Sequence, residues 1–101
     1  MITHIVMWQL KDHAEGADKA HNLRKMQALL ASCADLVPGI LRLDVVVAQP
    51  GLEATCDIMM VSEFESMVAL DAYQSHPHHV AMKPFIGAIR QSRHCLDYQS
   101  A

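Results

Sequence analysis

Hydrophobic and polar positions alternate from Ile2 to Leu10, with Ile2, His4, Val6, Trp8 and Leu10 on one face and Thr3, Ile5, Met7 and Gln9 on the other. A period of two predicts a β-strand. Both faces carry large apolar side chains, so the strand needs cover on two sides. A chain of this size supplies one covering layer and asks for a partner subunit to supply the other. Lys11 to Gly16 is a polar connection, and the Asp18 carboxylate is placed to cap a helix. Ala20, Leu23, Met26 or Gln27, Leu30, Ala34 and Val37 then recur at helical spacing, with Lys19, Asn22, Arg24 and Lys25 on the wetter side. Pro38-Gly39 ends this helix, since Pro cannot continue the hydrogen-bond ladder and Gly accepts a left-handed turn.

Ile40 to Ala48 is rich in Val and Leu and reads as a second strand. Gln49 to Thr55, with Pro50-Gly51, is the turn of a hairpin whose return strand runs from Cys56 to Phe64. Ser66 caps a short helix through Tyr73. His76-Pro77 opens another, because proline suits a first helical turn. That helix carries Val80, Met82 or Lys83, Phe85 or Ile86 and Ile89, and Gln91 to Tyr98 closes the chain as a strand. The order β-α-β-β-α-β predicts a ferredoxin-like α+β fold, a four-stranded antiparallel sheet with helices on one face. Residues 1–101 form a single domain. The opposite face, bearing Ile5, Met7, Met59 and Val61, is then apolar and bare, which predicts a homodimer closing sheet against sheet.

Composition narrows the partners. The chain has 101 residues, 51% of them hydrophobic and 19% charged, which excludes a disordered polymer. A net charge of -3 leaves no broad basic surface for a nucleic-acid backbone. No apolar run approaches the roughly 20 residues needed to cross a bilayer, and no basic-then-apolar leader opens the chain, so a cytoplasmic location is expected. Cys33, Cys56 and Cys95 lack metal-site or disulfide spacing and read as small buried residues. Seven histidines against five aromatic residues make imidazole the main polar group for chemistry near neutral pH.

Several segments carry a resemblance over almost the whole chain: His4-Ile5-Val6, Val37-Pro38-Gly39, Ser62-Glu63-Phe64-Glu65-Ser66, Tyr73-Gln74-Ser75-His76-Pro77-His78-His79-Val80, Lys83-Pro84-Phe85-Ile86 and Asp97-Tyr98. Together they resemble the stress-responsive A/B barrel family of dimeric α/β-barrel proteins. The resemblance implies a homodimer with a shared barrel. Through a plant polyketide cyclase of that family, it also implies a cavity between sheet and helices. Its catalytic residues would fall on His79, Tyr73 and His4, and its lining on Val6, Trp8, Leu30, Val80, Met82, Arg90, Arg93 and Cys95. No cofactor and no metal are implied.

The chemistry of these residues agrees with that expectation. A neutral imidazole at His79 can take a proton from the carbon next to a carbonyl, and the Tyr73 hydroxyl can donate to the developing enolate oxygen. The plainer alternatives are a helix-bracing His76, a hydrogen-bonded His79 and a core His4. His76, His78 and His79 sit close enough in sequence to invite a metal reading, with no nearby thiol or carboxylate to complete it. Arg90 and Arg93 belong to a solvated face, pair with Asp97 or anchor an anionic ligand group. Two functional classes result: a cofactor-free lyase, cyclase or isomerase acting on a small oxo compound, and a non-catalytic dimer that binds a small molecule or serves a structural role. Haem- or oxygen-dependent monooxygenase chemistry, known in other dimeric ferredoxin-like barrels, has less in the sequence to favour it.

Overall fold

Residues 1–100 are described by a computed structural model, in the order β1 (Ile2–Leu10), β2 (His13–Ala14), β3 (Ala17–Asp18), α1 (Lys19–Ala31), β4 (Ile40–Val47), β5 (Ile58–Phe64), α2 (Met67–Ser75), α3 (Pro77–Ile89) and β6 (Arg90–Gln99). The four long strands form one antiparallel sheet in the order β4-β5-β1-β6. This is the ferredoxin-like α+β fold. β1 lies inside the sheet, and the helices cover one of its two apolar faces. Val6, Trp8 and Leu10 join Ile58, Met60 and Phe64 of β5 against Met26 and Leu30 of α1, Leu70 and Tyr73 of α2, and Met82 and Ile89 of α3. On the other face Met7 lies opposite Met59, and Ile5 opposite both Val61 and Leu96. No helix of the described residues is long and apolar enough to cross a membrane.

Local chemistry sets the element ends. The Asp18 carboxylate accepts from His21 N at 2.9 Å, starting α1. Ser66 accepts from Ala69 N at 3.2 Å to start α2, and His76 Nδ1 accepts from His78 N at 3.1 Å to start α3 behind Pro77. Gly39 has φ +88°, and a Cβ there would lie 2.9 Å from the Ala69 Cβ. Its carbonyl accepts from Glu65 N at 2.8 Å, tying the entrance of β4 to the exit of β5.

Three expectations need correction. The first helix ends at Ala31 rather than at Pro38, because Cys33 N turns back to the Leu30 carbonyl and Leu36 N to the Cys33 carbonyl. Val37, seven residues on from Leu30, still reaches the core from these tight turns, as does Cys33, whereas Ala34, which shares the helical spacing, is exposed. Asn22 is buried rather than wet: its Nδ2 donates to the Ala14 carbonyl at 2.9 Å, pinning the small β2-β3 hairpin onto α1. Of the cysteines, Cys33 alone is buried, while Cys56 is half-buried and Cys95 exposed.

Candidate functional site

A cavity of about 330 Å3 opens between the sheet and the helices. Alternation on β1 aims His4, Val6 and Trp8 at it, and Met60 of β5 lies opposite Val6 on the same face. α3 contributes His79, Met82, Lys83, Ile86 and Gly87, the one face produced by helical spacing, with Arg90 at its end. Leu30 of α1, Gln74 of α2 and Arg93 of β6 complete the wall. The volume lies at the lower end of the range for small-molecule pockets.

The polar chemistry gathers around two imidazoles. His4 pairs with Asp97 on β6: register sets the two opposite each other, and Nδ1 of His4 meets Oδ1 of Asp97. Because a carboxylate only accepts, Nδ1 carries the proton and Nε2 is the nitrogen left free. Nδ1 of His79 is sealed in the wall without a hydrogen-bond partner. Burial is the largest influence lowering the His79 pKa, and the Lys83 charge adds to it. The Gln74 backbone opposes the shift, while His4 and Arg93 reinforce it. His79 therefore stays neutral at pH values where an ordinary imidazole begins to charge.

Tyr73 is not brought to the cavity wall. Its side chain is fully buried, its hydroxyl points to Met60 Sδ at 3.7 Å, and what it offers His79 is the ring, with centroids 4.8 Å apart. Burial, reinforced by Cys33, pushes that hydroxyl well above the usual phenol range. Val80 is also off the wall: it falls on the outer side of α3 and is 45% exposed. Cys95 borders a shallow groove with Ile5, Met7, His94 and Leu96 instead. The expected Arg–Asp97 pairing is replaced by His4–Asp97.

The three neighbouring histidines of α3 separate into different tasks. His76 caps the helix, His78 Nε2 lies 2.8 Å from Ser32 Oγ, and His79 faces the cavity. No group of three or more His, Cys, Asp or Glu among the described residues is arranged to hold a metal ion. Met60, Gln74, Lys83, Ile86 and Gly87 were not singled out in the sequence as lining residues. The α3 members among them were recoverable by stepping three and four residues on from His79.

The chain matches the stress responsive A/B barrel domain over residues 2–100. It is similar in structure to a dimeric ferredoxin-like protein of unknown function from Bacteroides fragilis, with TM-score 0.81 and 26% identity over 98% of this chain and 95% of the other. A dimeric ferredoxin-like protein of unknown function from Thermobifida fusca gives TM-score 0.84 at 17% identity, covering 98% and 90%. An antibiotic biosynthesis monooxygenase shares the fold at TM-score 0.71 and 18% identity, covering 100% and 99%. A comparison with curated proteins returned no match. With the sheet order, the covering helices and the family match in agreement along the chain, this protein belongs to the stress responsive A/B barrel domain family.

Proposed function

We propose that the protein is a homodimer whose cavity performs cofactor-free acid–base chemistry on a small oxo compound, as a lyase, cyclase or isomerase does. The observation that carries this reading is the shared cavity of His79, kept neutral by burial and neighbouring cations, and His4, fixed by Asp97. Two titratable groups in contrasting environments are the usual arrangement for dividing acid and base roles. In the proposed step His79 takes a proton from the carbon beside a carbonyl, and the C–H electron pair passes into the enolate. Lys83, one helical turn from His79, stabilises the new oxyanion, while His4, whose free Nε2 accepts, holds a hydroxyl or water proton of the bound compound. Tyr73 holds the His79 ring from behind instead of donating to substrate.

A second reading, ligand binding without turnover, is favoured by the withdrawal of the Tyr73 hydroxyl from the cavity. Proton NMR in deuterium oxide separates the two. β-Oxo acids, oxo esters and short polyketide-like compounds are incubated with the protein, and exchange at the carbon beside the carbonyl is followed with and without oxygen. Oxygen-independent exchange that saturates with substrate is the expected outcome. Binding with no exchange selects the second reading, and turnover that consumes oxygen contradicts both.

A further inference from the structure

The cavity is polarised along its length. His4 and Trp8 lie four residues apart on the same face of β1, about 13 Å by the rise of a strand. Across the ladder Asp97 stands opposite His4 and Arg93 opposite Trp8. One end therefore holds the imidazoles and their carboxylate, with the single cation Lys83 beside His79, and the other holds the arginine pair, Arg93 with Arg90, which enters from the end of α3.

That cationic end has no counterion. Among the described residues Arg90 and Arg93 form no salt bridge, and Asp97, the nearest carboxylate on the cavity side of β6, is taken by His4. Trp8 is 5% exposed, and its Nε1–H has no hydrogen-bond partner. A buried donor without a partner is costly and uncommon. The chain as a whole is acidic, at -3, so this local positive field is not a reflection of bulk charge.

We infer that the ligand of this cavity is an oxo acid, with its carboxylate held by Arg90 and Arg93 beside the Trp8 indole and its carbonyl reaching toward His79. Arginine's planar fork matches a carboxylate in a two-point pairing, and an arrangement of that kind fixes the direction in which an elongated ligand enters. His79 near the start of α3 and Arg90 at its C-cap are eleven residues apart, about 16 Å of helix rise, which calls for several carbons between ketone and carboxylate, so the carboxylate is remote from the reacting carbon. This inference rests on the cavity being a ligand site, as the proposed function holds, and not on turnover.

The test compares 7-oxooctanoate with its methyl ester by isothermal titration calorimetry. The acid is expected to bind the wild-type protein at least about tenfold more tightly than the ester. In Arg93→Gln, a change at an exposed position of β6, the preference should collapse to within about twofold with the melting temperature unchanged. Trp8→Phe, which keeps an aromatic ring but removes the N–H, should weaken the acid more than the ester. Equal affinities in the wild type, no measurable binding of the acid, or a preference that survives Arg93→Gln would overturn the inference. Deuterium exchange on the same samples reads the proposed chemistry separately. An acid that binds preferentially but never exchanges would contradict the catalytic reading and leave the anion site standing.

Discussion

Asp97 shows how a residue's task depends on the strand across from it. Read along β6, it has Arg93 four positions away and suggests a surface ion pair. Read across the ladder, it meets His4, and an imidazole already aimed at the cavity acquires a fixed tautomer. Replacing Asp97 with Asn should therefore lower exchange of an oxo substrate by at least about tenfold while leaving the fold intact, because a mis-set tautomer offers the wrong nitrogen. Tyr73→Phe should change the rate by less than about threefold, as its hydroxyl reaches only a thioether, a weak acceptor. His79 also links protonation to stability. The unfolded imidazole takes up a proton near 6.5 and the folded one resists it to lower pH, so between those values the unfolded chain binds more protons. The stabilisation is fully present above about 6.5 and is lost as pH falls toward the lowered value. Melting curves from pH 7.5 to 5.5 should show the wild type losing more stability than His79→Ala over that interval. Parallel losses would contradict the assignment.

At the scale of elements, strands and helix starts were legible because their signals are local. Alternation marks β1, and Asp18, Ser66 and His76-Pro77 mark three helix starts with side chains that serve as caps. The end of α1 was not legible, since Val37 reaches the core through turns that keep it at a helical spacing from Leu30, while Ala34 between them is exposed. The cavity was half legible: alternation puts His4, Val6 and Trp8 on one face of β1, and the family resemblance, not the α3 periodicity that began at Val80, points to His79, but the rotation of Tyr73 into the core depends on packing against Phe64, Met60 and Cys33. Two glycines make opposite predictions. Gly87 lies in α3 with open space where a Cβ would stand, so Gly87→Ala should stabilise the protein by up to about 1 kcal/mol. It would also push a methyl group to the cavity edge. Gly39→Ala should destabilise by more than about 2 kcal/mol, because it combines a left-handed φ with a close approach to Ala69. Chemical denaturation of the two variants beside wild type checks both signs.

At the scale of the whole molecule, the sheet face turned away from the helices stays open. Val46, Met7, Leu96 and Tyr98 are 44%, 39%, 62% and 47% exposed, and the register joins them to Ile5, Met59 and Val61 in an apolar patch bordered by His94, opposite Met7, and by the Arg42–Asp44–Glu63 ion pairs. Each Å2 of such surface removed from water is worth about 25 cal/mol, and a second copy of the chain offers a matching face. Sedimentation should find a dimer at micromolar concentration, and Met7→Asp should raise its dissociation constant by at least about a hundredfold, since it leaves a charge unpaired in a dry interface. A wild-type monomer would contradict the homodimer. The central claim, that this family member uses His79 as a base in its cavity, is tested most directly by measuring exchange at the carbon beside the carbonyl and thermal melting on the same samples of wild type and His79→Ala. Loss of a general base lowers rates by about 100- to 10,000-fold, so the account expects a fall of that size with the dimer and the fold retained at pH 7.5. A wild-type protein that exchanges no oxo compound, together with a large melting loss in His79→Ala, would show that His79 serves the structure and not a reaction.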